Sequence, residues 1–169
     1  MQEHYPERMR QVRIGSKQSL IVFGRKQEIT MPAKVLFRLF GVGKIPAQIR
    51  AQLDSEGVIL QDEGLFGSTT FRKVRRPGYY AAFDRRYYFG SLTITQTRLV
   101  GLFSSNPVIN VPFADSRFRG LDFARENANT LRTAFDASLF HDDWSGKIEY
   151  RFRTPQVQAF LDTLNAKRG

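Results

Sequence analysis

Cysteine is absent from the 169 residues. That single absence excludes a disulfide framework, a thiolate zinc site, an iron–sulfur cluster and a cysteine nucleophile. It also suits a reducing cytoplasm. Histidine is nearly as scarce: His4 and His141 are the only two, so imidazole-based metal or acid–base chemistry has little to draw on. Long apolar runs are missing too. The longest clusters, residues 20–23 and 35–37, fall far short of the roughly twenty residues that a spanning helix needs. The N-terminal stretch is charged and has no apolar h-region followed by a small-residue cleavage site, so no secretory signal is expected. There is no glycine-rich phosphate loop, nucleophile elbow or HExxH motif; Gly41-Val42-Gly43-Lys44 lacks P-loop spacing and reads as a hinge. The expectation is a non-catalytic, cofactor-free cytoplasmic protein, with peripheral attachment to a membrane left open.

Aromatic rings, by contrast, are plentiful. Fifteen Phe and six Tyr against one Trp, within 41% hydrophobic content, describe a globular core built on large flat side chains. The length suits one domain of ordinary size. The net charge of +10 is concentrated. Residues 1–44 hold nine Lys or Arg against three Glu, residues 72–86 hold six against Asp84 alone, and the remainder is close to neutral, with 11 basic and 12 acidic side chains. Charge gathered in two segments directs a field at an anionic partner in a way that evenly spread charge does not.

Three regions follow from the patterning. Residues 1–32 are a basic extension with little that could define a core, and Met31 offers an internal start for a shorter product. Residues 33–56 are a helical lead-in: 33–40 is apolar on more than one face, suited to packing on the domain or to a membrane surface. Pro46 then opens a short helix to about Leu53, carried by Ile45, Ile49 and Leu53 at intervals of four. Residues 57–169 change to the period of strands, with candidates at 58–61, 66–71, 87–95, 98–103, 108–113, 118–123 and 131–135. In the last strand Ile148, Tyr150 and Phe152 alternate with Lys147, Glu149, Arg151 and Arg153, which predicts one buried and one wet face. A helix ends the chain: Thr154 caps it, Pro155 follows, and Val157, Phe160, Leu161 and Leu164 form one apolar stripe. The expected fold is mainly β (α+β), a small barrel or sandwich of about seven or eight antiparallel strands with a short N-terminal helix and a C-terminal helix as lid.

Gly90-Ser91-Leu92-Thr93-Ile94-Thr95-Gln96-Thr97-Arg98-Leu99-Val100, then Ile109-Asn110-Val111-Pro112-Phe113-Ala114-Asp115, and finally Phe160, Leu161 and Leu164 resemble the bacterial PH-like and GRAM-like branch of the pleckstrin-homology superfold. The likeness spans about residues 57 to 166. It implies a non-catalytic binding module, directed to phosphoinositides in some members and to proteins or peptides in many others. The sequence departs from the phosphoinositide pattern at Lys73 and Arg85-Arg86-Tyr87, where the two arginines are adjacent. Strand alternation sends adjacent side chains to opposite faces, so a two-pronged phosphate clamp is not expected there.

The candidate binding residues are Arg72, Lys73, Arg75, Arg76, Tyr79, Tyr80, Arg85 and Arg86, which interleave cations with aromatics. Pro77-Gly78 breaks regular structure, so the middle of this stretch is expected to be a loop that lets the arginines reach a partner. Phosphate head groups or acidic side chains would pair with the arginine forks, or bases would stack on the tyrosines. An anionic membrane surface or an acidic protein is the leading expectation for the partner. Sequence-independent binding of single-stranded nucleic acid is the first alternative, and a small-molecule or flavin-binding barrel the second. His141-Asp142-Asp143-Trp144 is the one place where imidazole and carboxylates gather, and it reads as a turn, as does Asp136 with Ser138.

Overall fold

The computed structural model describes residues 43–168. The expected extension at 1–32, the Met31 start and the apolar stretch at 33–40 therefore lie outside the described residues. Helix α1 (Ala47–Ser55) comes first, then strands β1 (Val58–Arg76), β2 (Tyr79–Thr95), β3 (Arg98–Phe103) and β4 (Asn106–Pro112). A helical turn, α2 (Ser116–Arg119), leads to β5 (Asp122–Asn127) and β6 (Thr130–Asp136); β7 (Ser145–Arg153) and helix α3 (Val157–Arg168) complete the chain.

All seven described strands join one antiparallel sheet in the order β4-β3-β2-β1-β7-β6-β5. The end strands β4 and β5 are not paired with each other, so the hydrogen-bonded sheet is open. Two meanders, β1 to β4 and β5 to β7, are fused through β1. Residues 58–95 form one long hairpin whose near half carries β3 at Gly90 to Ile94, while β7 pairs with its far half between Gly67 and Arg75. Register shifts at Val58/Leu60 and Glu63/Leu65, the second beside Gly64 at φ +68°, bend the 19-residue β1, as bulges do. Gly90 and Gly67 allow the crowded centre: a Cβ on Gly90 would lie 1.8 Å from the Leu102 carbonyl oxygen, and one on Gly67 2.6 Å from the Phe103 ring.

The main core lies on the inner face, where Leu92, Ile94, Leu99, Phe103, Leu131, Phe152 and others meet Val157, Phe160 and Leu164 of α3. The expected apolar stripe is thus buried as predicted. Thr154 caps the helix as expected: its Oγ1 accepts from the Gln156 N–H at 3.1 Å and donates to Asp62 at 2.7 Å. At the other end of α3, Lys167 donates to the Gln96 carbonyl at 3.2 Å, and Arg168 donates to the Leu121 carbonyl and lies over the Phe123 ring. The helix therefore ties the β2–β3 turn of one meander to the entry of the other. A second, smaller core on the outer face joins Ile45 and Leu53 to Val100 and Leu102.

Several expectations about elements need correction. The candidates at 58–61 and 66–71 are one continuous strand, because the polar residues between them sit at a bend rather than a break. Of the candidate strand 118–123 only Asp122 and Phe123 are strand, the first two residues of β5; residues 118–121 are not. Asp115 caps α2 by accepting from the Arg117 N–H at 2.8 Å, and this local cap outweighs the aromatic spacing. Residues 104–107 are not a four-residue separator, because Ser104 and Ser105, both at positive φ, make a two-residue turn and β4 begins at Asn106; this is the twist-compatible hairpin geometry. Ile148, Tyr150 and Phe152 are buried as predicted, but Glu149 on the opposite face is buried as well.

Candidate functional site

The eight candidate residues sit on regular strands, not in a loop. Arg76 pairs with Tyr79, so the connection is only Pro77-Gly78, with Gly78 at φ +70°; Pro followed by a residue at positive φ is the signature of a type II turn. Regular pairing overrides the expected loop because β1 and β2 keep one register from Leu65 to Arg76.

Alternation then assigns faces. Thr70, Arg72, Phe83, Arg85 and Tyr87 share the outer face, where the Arg85 Nε donates to Thr70 Oγ1 at 3.0 Å and the Arg72 and Arg85 guanidinium groups both lie over the Phe83 ring, at 5.3 and 5.7 Å. Tyr87 stacks on Phe66 at 5.6 Å. On the inner side Arg86 donates to Asp84 at 2.9 Å and lies over Phe71. Adjacent Arg85 and Arg86 therefore point apart, as strand geometry predicts.

Lys73, at φ +51°, forms a bulge against β7 between Arg72 and Arg75. The bulge fits over Gly146, where a Cβ would meet the Lys73 carbonyl at 2.4 Å. It moves the alternation along by one. Val74 and Ala81 become buried, Arg75 stacks over exposed Tyr80 on the outer side at 5.2 Å, and Arg76 turns inward over Tyr79 and Trp144, at 4.6 and 5.1 Å. The structure thus gathers Arg72, Arg75, Tyr80 and Arg85 on one exposed face, and sends Arg76, Tyr79 and Arg86 to the other.

Charge pairing separates the cations further. Arg72 is bound to Glu149 at 3.0 Å and Arg86 to Asp84 at 2.8 Å. Among the described residues, no carboxylate lies within ion-pair distance of Lys73, Arg75, Arg76 or Arg85. Glu149 is itself held between Arg72 and Arg151, the latter at 2.9 Å. Burial pushes its carboxyl upward, but the hydrogen bonds and charges of the two arginines outweigh that and leave it below the usual carboxylate range. The Tyr88 hydroxyl moves up, chiefly because it is buried.

Sequence reasoning did not include Phe66, Phe83, Tyr87 or Glu149 among the binding residues. Tyr80, Phe83 and Tyr87 are each 57–58% exposed, and they are the only aromatics among the exposed large hydrophobic side chains described. The period-two spacing of Phe83, Arg85 and Tyr87 carried this information once the segment was read as a strand. Trp144 also belongs to the neighbourhood, through Arg76. His141 stacks on Trp144 at 4.1 Å, and the His141 carbonyl accepts from the Trp144 N–H at 3.0 Å, so this segment is a turn as expected. Asp136 accepts from the Ser138 N–H at 3.0 Å in the same role.

Among the described residues no three His, Cys, Asp or Glu side chains gather where they could hold a metal. Two open clefts, of about 520 and 200 Å³, lie away from the hairpin and have no aromatic lining; neither supports the flavin alternative. No described helix is long and apolar enough to cross a membrane. No family model matches the chain, and no curated protein matches it.

Proposed function

We propose that the chain is a non-catalytic, PH-like binding module of the cytoplasm that meets an anionic partner, an acidic protein or an anionic membrane surface, through the far half of its long hairpin. The observation that carries this reading is the set of four cations, Lys73, Arg75, Arg76 and Arg85, without carboxylate partners among the described residues and interleaved with exposed aromatic rings. Exposed arginines lacking counter-charges are free to form charge-assisted hydrogen bonds to carboxylates or phosphates. The PH-like assignment draws support from the two meanders sharing β1 and from the C-terminal helix packed on the inner face. Pelleting with anionic and neutral vesicles, alongside titration with poly-glutamate, tests the reading. Uptake of either anionic probe at low salt, reduced in Arg75→Ala/Arg76→Ala, is expected; no uptake of either would end it.

Single-stranded nucleic acid is a second reading, favoured by Phe83 and Tyr87, which lie on one sheet face with Arg85 between them. Such rings can stack on bases. A gel shift that weakens steeply with salt is the expected result for that ligand.

A further inference from the structure

The far half of the hairpin has an unusual edge. Strand β3 pairs with β2 only from Gly90 to Ile94, and the Phe89 carbonyl accepts from the Ser104 N–H at 2.8 Å. Beyond that point, along residues 79–88, no described strand pairs with β2 on the side away from β1. A run of this length extends about 30 Å. The two end strands of the sheet are blunted in recognised ways. Strand β4 carries Pro107 and Pro112, which cannot donate to a ladder, and β5 is only six residues long with Arg125 and Glu126 exposed. Residues 79–88 contain no proline and are flanked by the exposed rings of Tyr80, Phe83 and Tyr87.

Building on the anionic-partner reading, we propose that this edge takes up an extended acidic segment of another protein as an added strand. Main-chain hydrogen bonds to residues 79–88 would hold it, and its alternate side chains would lie on the outer face beside Phe83, Arg85 and Tyr87. Charge selects this occupant. A second copy of the same edge would bring Arg85 and Arg86 against their like, and the chain's own residues 1–44 carry nine basic and three acidic side chains. Like charges placed side by side on neighbouring strands are unfavourable, while opposite charges are favourable. A strand with carboxylates at its outer-face positions would neutralise Arg85, whose side chain has the Thr70 hydroxyl and the Phe83 ring but no carboxylate beside it among the described residues, while its alternate apolar side chains would fall on the inner side. Strand addition draws affinity from the main chain and specificity from alternate side chains, so a simple repeating peptide is a valid probe.

The test uses the full chain and an alternating Glu-Val peptide, with a Lys-Val peptide and a Glu-Pro peptide as controls. Hydrogen exchange of the free protein should show fast amides within residues 79–88. The Glu-Val peptide should slow them at least about tenfold and leave β3 and β4 unchanged, whereas the Glu-Pro peptide, in which every second residue has no N–H and is held at a φ of about −65°, away from strand geometry, should not. Arg85→Glu, an exposed substitution that leaves the thermal midpoint in place, should weaken Glu-Val binding about tenfold. Glu-Val binding without protection of residues 79–88 overturns strand addition and leaves the anionic-partner reading standing. So does binding of anionic vesicles or oligonucleotides with no binding of the peptide. Slow exchange of the edge in the free protein also overturns it, because the edge is then already covered. Failure of every anionic probe to bind removes both.

Discussion

Arg85 and Arg86 are neighbours in sequence and belong to opposite sides of the sheet: Arg85 reaches the Thr70 hydroxyl at 3.0 Å, and Arg86 reaches the Asp84 carboxylate at 2.9 Å and lies over the Phe71 ring. Of the two, Arg85 alone lies on the exposed aromatic face without a carboxylate partner among the described residues. Their substitutions should therefore separate. Arg85→Ala is expected to weaken binding of anionic vesicles or poly-glutamate severalfold without moving the thermal midpoint. Arg86→Ala is expected to lose about 0.5–1 kcal/mol of stability, the range of a partly exposed pair with a ring contact. Titration and thermal denaturation of both variants check this, and equal effects on binding would contradict the assignment of faces.

Glu149 restrains Arg72, and their competition can be measured. Glu149→Gln removes a buried carboxylate shared by Arg72 and Arg151. It is expected to destabilise the fold by about 1–3 kcal/mol while releasing Arg72 for an external anion. The variant should unfold at lower urea yet bind poly-glutamate more tightly than the native chain. Weaker binding in a folded variant would show that Arg72 takes no part.

Acid should unfold the protein through identifiable carboxylates. Glu56 is lowered first by its hydrogen bond from Arg98, Asp136 by the Ser138 hydroxyl and then its N–H, and Glu149 by its two arginines despite burial. A group whose folded pKa is lowered stabilises the native state above its unfolded value and loses that contribution as pH falls through the folded one. The urea midpoint is thus expected to be flat above the ordinary carboxylate range and to fall below it. In Glu149→Gln the fall should be shallower; an unchanged slope would remove Glu149 from this account.

Two glycines should behave differently. A Cβ at Gly90 would sit 1.8 Å from the Leu102 carbonyl oxygen, whereas one at Gly78 meets nothing within 4 Å. Gly90→Ala is expected to cost about 3 kcal/mol or more through overpacking. Gly78→Ala should cost about 1 kcal/mol, from its positive φ alone. Urea denaturation of both variants gives the comparison.

The elements legible in the sequence were those whose signal is local. Thr154 with the Val157, Phe160 and Leu164 stripe marked the final helix, and Ile148, Tyr150 and Phe152 marked the buried face of β7. What stayed hidden was set by distant partners. Nothing near Glu63 and Gly64 indicates that β1 runs on through a bend, because its continuity comes from pairing with β2 along its length. Nor does the sequence mark the Lys73 bulge, which fits against Gly146 in another strand. The candidate residues were found by composition, since basic and aromatic side chains crowd 72–88. Their division between faces needed the register, and so did the free edge beside them.

The most direct test of the central claim is the affinity of the native chain and of Arg75→Ala/Arg76→Ala for poly-glutamate and for anionic vesicles, each measured at about 50 mM and about 200 mM salt. The account predicts binding of at least one of these by the native chain, weaker at the higher salt, and a marked loss in the variant at the lower salt. Binding that is absent, or that is indifferent to both salt and the two arginines, would contradict it.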